Sequence, residues 1–205
     1  MAVVSGHPER PQGEDGRKLL LRMNGGRHEE LALWGLQLLG LTGQERSLLD
    51  VGCGGGANLI RLMERCPEAR VTGIDYSPVS VELSREVNAR AIEEGHCRVF
   101  EGDVHHLPFE EEEFEVVTGF ETIYFWQDVV ACLREVLRVL KVGGRLLICN
   151  EDDGTSPQAQ ETACEIEGMS VYSEEGLKEV ILEAGFVSVE THTDERSFLC
   201  AIAAR

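Results

Sequence analysis

Three acids stand out for their placement, each closing a short apolar run: Asp50 in "SLLDVGCGGG", Asp75 in "VTGIDYS" and Asp103 in "EGDVHHLPF". Asp50 stands at the mouth of a loop carrying Gly52, Gly54, Gly55 and Gly56. A glycine loop between a strand and a helix brings the main chain close to a ligand. Two kinds of ligand suit it. Gly52-x-Gly54-x-x-Ala57 satisfies the relaxed dinucleotide fingerprint, and Asp75 lies about 20 residues beyond, where a ribose-binding acid belongs. That reading makes the chain a nicotinamide- or flavin-dependent oxidoreductase.

Asp50 argues for the other. A carboxylate at that point repels a pyrophosphate but holds an ammonium group, directly or through water. Asp103, beside the apolar Val104, suits an adenine amino group. Acids at three successive strand ends match a ligand with an amine, a ribose diol and an adenine but no phosphate, which is S-adenosylmethionine.

The elements that must position these residues are legible in the apolar patterning. Glu29–Leu41 has helical spacing through Leu31, Trp34, Leu38 and Leu41. Ser47–Val51 reads as a buried strand and Asn58–Arg65 as the helix after the glycines. Arg70–Ile74 is a second strand, followed by a helix capped by Ser77, begun at Pro78 and running to about Glu94. Arg98–Glu101 and Phe114–Thr118 are the third and fourth strands. The helix of "DVVACLREVLRVLKVGG" is expected to hold Lys141 in its last turn and to stop at Gly143 or Gly144. Arg145–Cys149 is the fifth strand, and Glu151–Glu161 reads as a long polar loop. A helix over Ser173–Ala184, stopped by Gly185, precedes two β runs, Val187–His192 and Ser197–Ala204, joined by a hairpin at "TDER". Strands alternating with helices predict a doubly wound, Rossmann-like parallel sheet, and the last two runs an antiparallel pair.

Composition bounds the partners. With 42% hydrophobic and 27% charged residues, the 205-residue chain reads as one globular domain over 17–205, after a mobile tail over 1–16. Its net charge of −18 disfavours nucleic acid. The run "FEEEEFE" reads as a solvated turn. No apolar run reaches the ~20 residues of a membrane span, and no signal-peptide core is visible. Seven cysteines without a C-x-x-C pair predict free thiols, no metal site and a cytoplasmic location. His105-His106 does not change that, since adjacent side chains diverge. Cys132, Cys149 and Cys200 read as core residues.

"LLDVGCGGG", "VTGIDYS", "EGDVHHLPF" and "LREVLRVLKVGGRLLI" together resemble the ordered motifs of the class I S-adenosylmethionine-dependent methyltransferases, most closely the small-molecule group called methyltransferase type 11. The resemblance runs from about Ser47 to Glu151. It implies a seven-stranded sheet with an antiparallel final strand, and S-adenosylmethionine as cofactor with S-adenosylhomocysteine as product. It assigns the methionine end to Asp50, Gly52 and Gly54, the ribose hydroxyls to Asp75, the adenine to Tyr76, Asp103 and the main chain of Val104, and a bordering position to Phe120. Cys53, Asn58 and Ser77 are further cofactor-binding candidates. Val142 departs from the pattern, which has proline before the double glycine.

The acceptor side is expected in "GFETIYFWQD", where Glu121 orients or deprotonates the acceptor and Tyr124, with Trp126, forms an aromatic wall. The alternative is that Ile123, Phe125 and Trp126 pack the core and Glu121 caps a helix. Upstream, "RMNGGRHEELALWG" is expected to form a lid helix hinged at Gly25-Gly26, with Met23, Asn24 and His28 toward the site; His28 as an ordinary helix residue is the alternative. Met169 and Tyr172 are candidate lining residues, and Glu151 a further acid. The expected activity is methylation of a small molecule at O, N or S. A non-catalytic S-adenosylmethionine sensor uses the same cofactor residues. Monomer and homodimer are equally compatible with the sequence.

Overall fold

A computed structural model describes residues 9–166 and 168–205, which fall into two compact units meeting between Asp103 and Val104. The first eight residues of the expected tail lie outside the described residues.

The first unit opens with two helices, α1 (Gly13–Met23) and α2 (Arg27–Leu39), the second ended by Gly40 in a left-handed conformation. Then come β1 (Ser47–Val51), α3 (Ala57–Arg65), β2 (Arg70–Asp75), α4 (Pro78–Val87), α5 (Ala89–Glu93) and β3 (Cys97–Glu101). The strands lie parallel in the order β3-β2-β1, with Asp50 level with Gly73 and Asp75 level with Glu101. Leu48 and Leu49 of β1, Leu59 and Leu62 of α3, Ile74 of β2 and Leu83 of α4 are fully buried. Burying each contributes about 1.5–3 kcal/mol relative to exposure.

Two expectations are corrected here. The tail is shorter than 1–16: α1 begins at Gly13, and Pro11 is already buried, its carbonyl accepting a hydrogen bond from Ser77 Oγ at 2.6 Å. The helix from Pro78 does not continue unbroken to Glu94. It breaks at Asn88, whose Nδ2 donates to the carbonyls of Gly56 and Ser84.

The second unit holds β4 (Phe114–Phe120), α6 (Val129–Val139), β5 (Leu140–Asn150), α7 (Pro157–Glu165), α8 (Glu174–Ala184), β6 (Ser188–Thr193) and β7 (Leu199–Ala204). Short 3-10 turns lie at Val104–His106 and Ile123–Phe125. Its strand order is β4-β5-β7-β6, with β4 and β5 parallel and β7 antiparallel to both its neighbours. The expected antiparallel pair is there. The "TDER" turn is tied by Asp194, whose Oδ1 accepts from the N–H groups of Arg196 and Phe198.

The α6–β5 boundary differs from the expectation. The helix ends at Val139, and Lys141, Gly143 and Gly144 belong to the strand. Sheet pairing outcompetes the glycine stop: Gly143 N–H donates to the Arg205 carbonyl, and Arg205 N–H to that of Gly144. The polar segment after β5 is also not all loop, because Ser156 caps α7 and Pro157 opens it. Cys132, Cys149 and Cys200 are wholly buried, as expected.

Candidate active site

In the first unit the ends of β1 and β2 hold the glycine loop. Gly52 and Cys53 donate their N–H groups to the Ile74 carbonyl at 2.8 and 3.1 Å. Asp75 grips the loop from its side chain, Oδ2 accepting from Gly54 N–H and Oδ1 from Ser77 N–H, both at 2.9 Å. Burial pushes the Asp75 carboxyl above its ordinary 3.8, and the two N–H groups pull it back. Asp50 is 1% exposed. The Cys53 thiol lies in the field of both acids and is pushed well up by burial, then by Asp75 and Asp50.

Two glycines of the loop have no room for a side chain. A Cβ on Gly55 would run into the Asn24 amide, and one on Gly56, with φ +83°, would come within 2.5 Å of Asn88 Nδ2. Close approach at the loop is therefore built from both sides.

Some expected ligand residues turn out to serve the framework. Cys53 faces the core, its Sγ 3.8 Å from Ser84 Oγ, so only its main chain borders the loop. Ser77 is fully buried, caps α4 at Ser80 N–H and holds Pro11, which leaves its hydroxyl occupied. Asn58 Oδ1 accepts from Arg61. Tyr76 is different: it is 38% exposed, and Asp75, Glu9, Arg10 and Asp103 all bear on its hydroxyl. Burial and the acids raise that hydroxyl to about 12.

The N-terminal segment lies along this cradle. Leu20 approaches Gly54, Asn24 Nδ2 donates to the Gly55 carbonyl at 3.2 Å, and Arg17 makes a two-pronged ion pair with Glu86 of α4. The Asn24–Gly26 turn is held in place by Arg61, which donates to the Asn24 carbonyl and pairs with Glu29. Arg61 and Asn88 were missed in the sequence, because long-range hydrogen bonds to main-chain carbonyls leave no spacing pattern. His28 sits half-buried in the first turn of α2.

The second unit presents its own polar cluster after β4. Phe120 is buried at the strand end, and Glu121 follows with φ +58°. That conformation is costly for a residue with a side chain and persists where the surroundings impose it. Here Glu121 N–H donates to the Cys149 carbonyl at 2.9 Å. Its Oε1 accepts from Tyr124 Oη at 3.1 Å and from Glu151 N–H at 2.5 Å. Burial and the Glu121 charge push the Tyr124 hydroxyl well above its ordinary value, so it stays a neutral donor. Ile123 and Trp126 are buried, with Trp126 Nε1 donating to Thr122 Oγ1.

Ser170 N–H donates to the Tyr124 carbonyl, bringing the Met169–Tyr172 stretch beside the cluster. Val104 is buried in the 3-10 turn, where His105 Nε2 donates to the Gln127 carbonyl and His106 is exposed. Asn150, overlooked in the sequence, is fully buried at the end of β5 with neither carboxamide atom hydrogen-bonded.

Residues 49–148 match the family Methyltransf_11, described as a methyltransferase domain. Over that half of its length the chain is similar to the class I S-adenosylmethionine-dependent methyltransferases. Malonyl-[acyl-carrier protein] O-methyltransferase of Herminiimonas arsenicoxydans is 30% identical over 167 residues, 76% of this chain and 61% of that protein. Among solved structures, a SAM dependent methyltransferase from Aquifex aeolicus superposes with a TM-score of 0.76 at 20% identity, covering 91% of this chain and 97% of that one. Phosphoethanolamine N-methyltransferase 2 of Haemonchus contortus, solved with S-adenosylhomocysteine, gives 0.78 at 17% identity over 100% of this chain and 61% of that one. These likenesses show the fold, the doubly wound seven-stranded sheet of this class with its final strand antiparallel. The chain spans about half the length of the curated relatives it matches.

Proposed function

We propose that this chain is an enzyme that moves the methyl group of S-adenosylmethionine to a small-molecule acceptor. The observation that carries the reading is the set of acids on the first unit: Asp50 and Asp75 at the ends of neighbouring parallel strands, and Asp103 just beyond the third. Asp75 grips the loop after β1, in which Gly55 and Gly56 leave no room for a side chain. This donor set suits the family's cofactor. Asp50 would hold the α-ammonium, with the main chain of Gly52, Cys53 and Gly54 beside the methionine end. Asp75 already accepts two N–H donors, and a carboxylate has lone pairs left for ribose hydroxyls. Tyr76, Asp103 and Val104 would take the adenine. When bound, the cofactor supplies a methyl carbon activated by the adjacent sulfonium.

The chain's own part is to hold the acceptor in line and, where the acceptor must lose a proton, to receive it. Glu121 is the candidate base, aimed by Tyr124 and the Glu151 N–H, with Phe120 alongside. His28 is a second candidate. A small-molecule acceptor is supported by relatives named for demethylmenaquinone and cycloartenol. No helix of the described residues is long and apolar enough to cross a membrane.

Isothermal titration calorimetry with S-adenosylhomocysteine tests the reading. The wild-type chain is expected to bind and Asp50→Asn to lose most of that affinity. No binding by the wild type sinks the proposal, and nicotinamide dinucleotide binding indifferent to Asp50→Asn would restore the oxidoreductase. Methyl transfer to an acceptor panel separates the enzyme from a sensor.

A further inference from the structure

The face of Tyr76 is not bare. The Arg10 guanidinium carbon lies 5.5 Å from the centre of the Tyr76 ring, within the range of a cation–π contact. Arg10 is exposed, yet the chain that follows it is held, since the Pro11 carbonyl is bonded to buried Ser77. Further along, Leu20 and Asn24 touch the glycine loop, and the Arg17–Glu86 pair fixes α1 against α4. The segment thus runs from the tyrosine end of the cradle to its glycine end.

We infer that Arg10 is a cofactor-binding residue, the outer wall of an adenine slot whose inner wall is Tyr76. This deepens the proposed function and rests on its assignment of Tyr76 to the adenine. A planar guanidinium stacks on a base as it does on a phenol ring, an ability lysine lacks. At 5.5 Å the guanidinium lies nearer the Tyr76 ring than the ~7 Å that a base stacked between the two needs. The exposed Arg10 side chain therefore lifts to admit the base, while the bonded Pro11 carbonyl holds the main chain beside it. Asp103, whose charge also bears on the Tyr76 hydroxyl, would be the acceptor for the base's amino group. Arg10 selects for an aromatic base and contributes nothing at the methionine end.

Calorimetry with two probes tests this: S-adenosylhomocysteine, and 5′-methylthioadenosine, which keeps the adenosine and lacks the amino acid. Arg10→Ala is expected to weaken both by the same factor, about 3- to 10-fold for a stacked cation. Arg10→Lys should recover little of the loss. As a check on folding, the ligand-free melting temperature of Arg10→Ala should match the wild type while its ligand-induced rise shrinks. Unchanged or tighter binding by Arg10→Ala overturns the inference, and so does a loss confined to S-adenosylhomocysteine. Failure of the wild type to bind either probe is a different result, because it removes the cofactor reading itself.

Discussion

Asp75 ties together two demands on one carboxylate. It holds Gly54 and Ser77 by their N–H groups and is assigned the ribose diol, both of which need the ionised form. Burial raises its folded value above 3.8, so the folded chain binds this proton more tightly than the unfolded chain does. Between the ordinary and the raised value, ionised Asp75 therefore costs stability that returns as pH falls. Ligand affinity runs the other way: it is expected to weaken as pH falls toward the raised value. Asp75→Asn should bind more weakly at every pH and with a flatter profile, measured by calorimetry from pH 8 downward. An equal slope in the variant would assign the titration elsewhere. On the acceptor side, Tyr124→Phe removes a neutral donor from Glu121 without touching the first unit's acids. It is expected to lower kcat about 10-fold with S-adenosylhomocysteine affinity unchanged. Glu121→Gln, if that residue is the base, should cost on the order of 100-fold.

At the scale of elements, Ser77 joins a helix to the segment that precedes the sheet. Its Oγ accepts from Ser80 N–H and donates to the Pro11 carbonyl. Ser77→Ala loses a cap worth about 1 kcal/mol and a buried hydrogen bond of similar size. Urea melts are therefore expected to show a loss of about 1–3 kcal/mol; a smaller change would mean water replaces both bonds. This cap was legible in "DYSPVS", because Ser before Pro at a helix start is a local signal. So were β1, β2 and the hairpin, whose apolar runs and turn residues carry their own structure. The end of α6 was not, because Gly143 and Gly144 read as a helix stop while partners far along the chain, Phe114 and Arg205, draw the segment into β5. Helix α1 went unread for a similar reason. Its polar, glycine-bearing sequence looks mobile, and the contacts that hold it come from Ser77, Glu86 and Gly55.

For the whole molecule, the cysteines offer a direct measure of how much of the chain is packed. Cys53, Cys66, Cys97, Cys132, Cys149 and Cys200 are buried, and Cys164 on α7 is exposed. Thiol reactivity follows access to the thiolate. A disulfide reagent is expected to titrate one thiol quickly in the native protein and all seven in denaturant. Two or more fast thiols would mean that a core strand opens readily. The acids proposed for the cofactor were legible for a related reason: Asp50 and Asp75 interrupt apolar runs and are buried, so their cost of burial shows in the sequence, while Asp103 is exposed. The residues of the acceptor cluster read ambiguously, since Glu121, Tyr124 and Trp126 have the same composition whether they pack or act. Only Glu121 and Tyr124 prove to be hydrogen-bonded to each other.

The left-handed main chain at Glu121 has a bearing on how this protein can diversify. A change of acceptor would be selected first at the residue that meets it, yet position 121 readily admits little beyond Gly, Asn and Asp besides the Glu it holds. β-Branched residues, the usual means of narrowing a pocket, are closed to it. New specificity in descendants of this sequence is thus steered away from position 121 and toward positions such as Met169 and Tyr172, where the backbone sets no such condition.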